Sequence, residues 1–227
     1  MKKNKMMRLA SALLVLTLLT TCVISGTFAK YVTAHNATDT ARVAKWGVKV
    51  NLAAYDLFDT QYAKDDAYAS ISGKAVVSSN ADNLLAPGTT KSLAGISITG
   101  QPEVAVRVNY DSTVTISGWA VTGDDFYCPL VLSFNYNGNI STLDGKAFNS
   151  AADFKQAIEE RIDAYKTDYE AKEELDQIND DLQITWTWEY SSSAENDIKD
   201  TELGDQAAAA NASTFELALK VTVTQID

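Results

Sequence analysis

Apolar and polar residues alternate in several segments of this chain, and this period of two is the feature that most limits its fold. The apolar members are Trp46, Val48, Val50 and Leu52; Ile96 and Ile98; Val104, Val106, Val108 and Tyr110; Val114 and Ile116; Leu130, Leu132, Phe134 and Tyr136; Ile184, Trp186, Trp188 and Tyr190; and Phe215, Leu217, Leu219, Val221 and Val223. Because successive side chains of a strand point to opposite faces, the pattern predicts antiparallel strands with one buried face and one solvent-exposed face.

Turn residues separate these segments at regular intervals. Asn137-Gly138 favours a type I′ hairpin turn, and Pro87-Gly88 and Gln101-Pro102 bound the strand between them. Many short strands with regular turns predict an all-β fold, namely a jelly-roll-like two-sheet antiparallel sandwich.

One segment has helical spacing instead. Ser150 can cap a helix, and apolar residues recur at Phe154, Ile158, Ile162 and Tyr165. The spacing predicts one long helix over 151–179, with a strongly acidic solvated face, inserted between two strands at about 150–180. The segments 54–74 and 191–213 are rich in Ala, Ser, Asp and Asn and are interpreted as loops.

The start of the chain has the order of a secretory signal peptide. A basic start is followed by an apolar run from Leu9 to Ile24 and by small residues before Lys30. The predicted divisions are a signal peptide at 1–29, cleaved between Ala29 and Lys30, an N-terminal segment at 30–44, and a sandwich domain at 45–227. An uncleaved membrane anchor is the alternative, although the run is shorter than the ~20 residues that span a bilayer.

Charge and cysteine usage limit the partners of the processed chain. The chain has 19 Lys and Arg against 30 Asp and Glu, and loss of four basic residues with the signal peptide leaves 15 against 30, a net charge of −15. Such a chain repels nucleic acid and anionic membrane surfaces. Cys22 leaves with the signal peptide, so Cys128 is alone and is expected to be buried beside Pro129 and Leu130.

The junction between signal peptide and mature chain resembles a known family. Gly26 to Tyr31, followed by Ala41 to Val48, resembles the TasA and camelysin family of exported Firmicutes proteins, which a SipW-type signal peptidase processes. The resemblance continues at Leu85-Ala86-Pro87-Gly88, through the strand that follows, and in the closing strand 214–225.

This resemblance implies a secreted jelly-roll protein that assembles with copies of itself into biofilm matrix fibres, alone or with an accessory matrix protein. It also implies that an N-terminal segment, here about 30–40, completes the sheet of a neighbouring subunit. Tyr31, Val32 and Thr33 are the candidate donor strand, with Tyr31 and Val32 as anchors. The alternative interpretation is that the same residues form a flexible N-terminus of the mature chain.

Two other function classes stay open at this point. Camelysin-like proteins have been classed as metallopeptidases, but His35 is the single histidine and a zinc hydrolase typically needs two or three. Asp124-Asp125 is interpreted as an ordinary surface loop, and Trp186 and Trp188 as core residues. We therefore expect no catalytic residue, no cofactor and no metal ligand, and no stable membrane span after processing; a monomeric surface adhesin is the third class.

Overall fold

The computed structural model describes residues 10–16, 41–51, 57–62, 75–80, 82–93, 96–123, 125–175, 182–190 and 193–226. The chain divides into two compact units, Met1–Arg42 and Val43–Asp227. Helix α1, at residues 10–16, belongs to the first unit, and every other element named below belongs to the second. None of the helices in these ranges is long and apolar enough to cross a membrane.

The second unit consists mostly of short strands. In chain order they are β1 (Lys49–Asn51), β2 (Gln61–Tyr62), β3 (Val76–Val77), β4 (Thr89–Ser92), β5 (Ser97–Thr99), β6 (Val106–Ser117), β7 (Ala120–Val121), β8 (Asp125–Phe126), β9 (Leu130–Tyr136), β10 (Asn139–Asp144), β11 (Lys166–Tyr169), β12 (Leu182–Trp188) and β13 (Thr214–Gln225). The helices are α2 (Ala151–Asp163) and α3 (Ala194–Ala208), with a short 3₁₀ turn at Gly145–Ala147.

Two larger sheets organise this unit, and all their pairings are antiparallel. One sheet has the strand order β10-β9-β12-β4, and the other has the order β11-β6-β13. Three two-stranded pieces, β1-β5, β2-β3 and β7-β8, accompany them. The predicted strand-rich, antiparallel fold is therefore confirmed in its coarse form, as mostly β with three helices rather than all-β.

Both larger sheets bury alternate side chains in one hydrophobic cluster. The fully or nearly fully buried members from the sheets and from α2 include Val106, Val108, Tyr110, Val114, Leu130, Leu132, Phe134, Ile184, Trp186, Trp188, Phe215, Leu217, Phe154, Ile158 and Ile162. Burial of alternating residues follows from the period of two along each strand. The interpretation of Trp186 and Trp188 as core residues is confirmed, since they are 0% and 5% exposed.

The β9-β10 hairpin forms as predicted. Tyr136 pairs with Asn139 across a two-residue turn. Asn137 and Gly138 in that turn have φ of 50° and 77°, which a type I′ turn requires and which these two residues tolerate well. The Pro87-Gly88 turn requires glycine for a steric reason, because a Cβ on residue 88 would lie 2.2 Å from the Tyr190 ring.

The prediction of one long helix at about 150–180 is wrong. Helix α2 begins after its Ser150 cap, whose Oγ accepts from the Asp153 N–H at 3.1 Å, and ends at Asp163. Residues 166–169 form β11, which pairs with β6. The spacing of Tyr165 and Tyr169 fits a helix, but Tyr165, Thr167 and Tyr169 also fit the period of two of a strand. The strand forms because its backbone can hydrogen-bond to β6. Residues 176–181 lie outside the described residues.

The interpretation of 191–213 as a loop is wrong, and that of 54–74 is wrong in part. Residues Ala194–Ala208 form α3, of which Leu203 is the one buried residue. A helix with so narrow an apolar stripe gives little periodic signal in its sequence. Within 54–74, Gln61–Tyr62 forms β2 and Tyr62 is completely buried; residues 63–74 lie outside the described residues.

The alternation at β1 does not mark a buried face. Trp46 and Val50 are 42% and 40% exposed, and all three residues of β1 are exposed. Strand β1 pairs with the three-residue strand β5, whose Ile98 is completely buried in the core, while β1 lies on the solvent side of that pair.

Candidate functional site: the edge of strand β13 and a neighbouring cavity

Strand β13 forms one border of the three-stranded sheet. It pairs with β6 along its whole length, from Thr214↔Ser117 to Gln225↔Val106. From Leu219 to Gln225, β6 is its one strand partner within the described residues. Since successive N–H and C=O groups of a strand alternate in direction, about half of those in Leu219–Gln225 point away from β6. We call Leu219–Gln225 the open edge.

The opposite side of β6 is covered. Strand β11 pairs with residues 106–109 of β6. Further along β6, helix α2 supplies side-chain partners: Glu159 Oε1 accepts from the Val114 N–H at 2.8 Å, and Lys155 Nζ donates to the Val114 carbonyl oxygen at 2.8 Å. Asp163 Oδ1 likewise accepts from the Ser112 N–H at 3.0 Å. Side chains of α2 therefore satisfy the backbone of β6 beyond β11 on this side. The sheet has two borders within the described residues, and β13, with 12 residues, is longer than β11, with four.

The core covers the two halves of β13 unequally. Phe215 and Leu217 in the first half are 8% and 3% exposed. Leu219, Val221 and Val223 point to the same face but are only partly buried. Apolar side chains that are incompletely covered next to an open edge gain contacts when another strand adds there.

A cavity of about 420 Å³ lies beside the start of β13, and one of about 280 Å³ lies beside Phe215–Ala218. The described walls of the larger cavity are Phe58, Asn83, Leu84, Leu85, Ala86, Pro87, Trp119, Trp188, Asp200, Leu203, Gly204, Ala207, Ala212, Ser213, Thr214 and Phe215. Helix α3 forms one wall with small residues at Gly204 and Ala207. A void of this volume with mostly apolar walls has the dimensions of a small-molecule site.

Asp200 is the one charged residue among these described walls. Its Oδ1 accepts a hydrogen bond from the Tyr127 hydroxyl at 2.8 Å. Burial raises the pKa of Asp200, and the negative charge of nearby Asp197 raises it further. The hydrogen bond from Tyr127, the nearby Trp188 N–H and the positive charge of Lys146 lower it. Trp188 Nε1 is buried and close enough to Asp200 to stabilise its charge, yet it makes no hydrogen bond of normal geometry within the described residues.

The residues singled out from sequence do not meet in this site. Ala29, Lys30, Tyr31, Val32, Thr33 and His35 lie outside the described residues, as does Asp124. Cys128 is buried, as expected, and burial raises the pKa of its thiol to about 12. Asp125 is exposed. No group of three or more potential metal ligands occurs within the ranges that the structure describes.

Sequence reasoning missed Trp119 and Asp200. Trp119 lies outside every alternating segment, in the short connection after β6, and its Nε1 donates to the Thr214 carbonyl oxygen at 2.8 Å. Asp200 is one of 30 acidic residues and lies in a segment interpreted as a loop. A helical assignment of 194–208 would have placed Asp200 and Leu203 on the same side of one helix and so flagged a carboxylate near the core.

Comparison of the chain with protein-family models, with curated protein sequences and with solved structures finds no match.

Proposed function

We propose that this chain is a secreted structural protein, a subunit of extracellular matrix fibres that assemble by strand donation. The segment at about 30–40 of one copy, anchored by Tyr31 and Val32, adds to the open edge of β13 in the next copy. A SipW-type signal peptidase frees the donor by cleavage between Ala29 and Lys30. The fibre is a homopolymer, with an accessory matrix protein as a further partner. The resemblance of the signal-to-mature junction to the TasA and camelysin family supports this proposal.

The observation that carries the proposal is the open edge itself. Residues Leu219–Gln225 lie at a sheet border with about half of their backbone groups directed away from β6. Leu219, Val221 and Val223 are incompletely covered on the core side of that border. An extended segment that adds there gains main-chain hydrogen bonds and places alternate side chains beside these three residues.

We also propose that the two larger sheets form the two layers of a jelly-roll-like sandwich. Ring contacts between them support this arrangement: Tyr110 of β6 and Tyr136 of β9 have centroids 6.0 Å apart. Phe58 contacts Trp186 of β12 at 5.7 Å and Phe215 of β13 at 6.0 Å. Contacts of this kind join the inner faces of packed sheets.

Charge sets a condition on assembly. A processed chain with a net charge of −15 repels its own copies at long range. Short-range contacts at the open edge must exceed that repulsion, so fibre growth is expected to accelerate with added salt or at acid pH, where screening or protonation reduces it.

Deletion of residues 30–40 tests the proposal. The expected product is a folded monomer that no longer forms fibres, because the unit Val43–Asp227 keeps its core and loses only the donor. Negative-stain microscopy measures fibres, and circular dichroism and analytical ultracentrifugation measure folding and mass. A matched control replaces 30–40 by a Gly-Ser segment of equal length, which keeps the tether and removes the anchors.

The two variants separate the outcomes. Loss of fibres in both supports donation by the side chains and backbone of this segment. Unchanged fibre growth in either variant contradicts strand donation from 30–40. A secreted protein that stays monomeric at high concentration and high salt, with and without matrix extract, contradicts the fibre proposal as a whole.

A further inference from the structure

The larger cavity beside β13 carries a second inference, which does not depend on whether the open edge accepts a strand. Its described walls are apolar on most sides, with Phe58, Trp119, Leu203 and Phe215 around the void. The volume of about 420 Å³ falls within the range of ~300–1,000 Å³ that small-molecule sites occupy.

The carboxylate in this cavity forms no ion pair within the part of the chain that the structure describes. Asp200 accepts a hydrogen bond from the Tyr127 hydroxyl, lies close to Trp188 Nε1, and makes no ion pair with any residue that the structure describes. Lys146 acts on it only through its longer-range field, and Lys199 lies over the Tyr127 ring, 5.4 Å from the ring centroid. Partly buried carboxylates are normally paired, because burial penalises the charged form.

Two indoles line the same cavity as this carboxylate. Trp119 and Trp188 both line the cavity, are 3% and 5% exposed, and have ring centroids 5.8 Å apart. The hydrogen bond from Trp119 Nε1 to the Thr214 carbonyl oxygen fixes one of the rings. Tryptophan is the aromatic side chain that attracts cations most strongly.

We propose that this cavity binds a small organic ammonium ion, that is, a primary amine on an apolar or aromatic stem. The ammonium group pairs with Asp200, and the stem replaces water against Phe58, Leu203 and Phe215. Anionic ligands are excluded, because the single charge in the described walls is negative. Neutral ligands of the same shape bind more weakly, because they leave Asp200 without a counter-charge.

The affinity of the cavity for the ammonium ion should fall at acid pH. The cavity binds the ammonium through the ionised form of Asp200, whose pKa is raised by burial. Affinity is therefore full at pH values above that raised pKa and is lost as pH falls through it, at a higher pH than for an ordinary aspartate. Three other titratable groups act on Asp200: Asp197 raises its pKa, whereas Tyr127 and Lys146 lower it.

Calorimetric titration of the secreted protein with phenethylammonium chloride tests the inference, with 2-phenylethanol as its neutral isostere and phenylacetate as its anionic analogue. We expect binding of phenethylammonium at least about tenfold tighter than that of 2-phenylethanol, and no binding of phenylacetate. Asp200→Asn, which can still accept from Tyr127, is expected to weaken the amine about tenfold and to leave the alcohol unchanged. Asp205→Asn is the matched control, since Asp205 is an exposed carboxylate on the same helix and does not line the cavity.

Indole N–H resonances locate the ligand. Phenethylammonium is expected to shift the signals of Trp119 and Trp188 and to leave Trp186 unmoved, because Trp186 does not line the cavity and its Nε1 is bonded to the Leu57 carbonyl oxygen. Equal affinity for amine and alcohol, an equal effect of Asp200→Asn and Asp205→Asn, or shifts confined to Trp46 would each overturn the inference.

Discussion

Two tryptophans on one strand provide a matched test of how the core is held together. Trp186 and Trp188 lie on β12, and both are buried. Trp186 Nε1 donates to the Leu57 carbonyl oxygen at 2.6 Å, which ties the segment before β2 to the four-stranded sheet across 129 residues of sequence. Trp188 Nε1 has no hydrogen-bond partner within the described residues. Phenylalanine at each position removes the same atoms. At position 186 it also removes the hydrogen bond to Leu57, whereas at position 188 it removes only the effect of the indole N–H on the charge of Asp200.

The expected costs follow from that difference. Each Trp→Phe change leaves a small void, which costs about 1 kcal/mol. Trp186→Phe also leaves the buried Leu57 carbonyl oxygen without its donor, which adds about 1–3 kcal/mol. We therefore expect a loss of about 2–4 kcal/mol for Trp186→Phe and about 1 kcal/mol for Trp188→Phe.

Urea unfolding followed by far-ultraviolet circular dichroism measures both variants without relying on tryptophan emission. A difference of this size moves the midpoint of Trp186→Phe below that of Trp188→Phe by about 1 M, with an unchanged slope. Equal midpoints, or a lower midpoint for Trp188→Phe, would show that the Trp186–Leu57 hydrogen bond does not hold the segment to the sheet.

Three further outcomes follow from individual contacts. Cys128 is buried and its thiol pKa is raised to about 12, so a thiol reagent at pH 8 should not label it until denaturant is added; rapid labelling of the native protein would contradict its burial. Ser150→Ala removes the cap of α2 and should cost about 1 kcal/mol in a urea titration, and no loss would mean that the cap is dispensable. The raised pKa of Asp200 means that the folded state holds its proton more tightly than the unfolded state, so this group's contribution to stability is complete below pH ~3.8 and falls as pH rises through the folded pKa. Asp200→Asn should therefore gain stability relative to the parent protein at pH 7 but not at pH 3, and the same difference at both values would contradict the raised pKa.

The sequence allowed the strands with strict alternation to be predicted because their pattern is local. Residues 130–136 and 184–188 each carry one apolar face, and both become central strands of the four-stranded sheet. The Asn137-Gly138 turn was predictable for the same reason, since two adjacent residues determine its conformation.

Other features depend on contacts that are distant in sequence. Residues 165–169 fit both a helix and a strand, and pairing with β6 decides between them. Helix α3 buries only Leu203, so its apolar face is almost absent from the sequence. The position of β13 at a sheet border, and the convergence of Asp200 with Trp119 and Trp188, follow from the order of strands in the sheets, which no local pattern encodes.

Hydrogen exchange on monomers and on assembled fibres tests the role of the open edge most directly. Strand donation predicts that about half of the amides in Leu219–Gln225, those directed away from β6, become protected in fibres. The amides of β10, at the border of the other sheet, should exchange at the same rate in both states. Unchanged exchange at Leu219–Gln225, or new protection confined to Asn139–Asp144, would contradict assembly through β13.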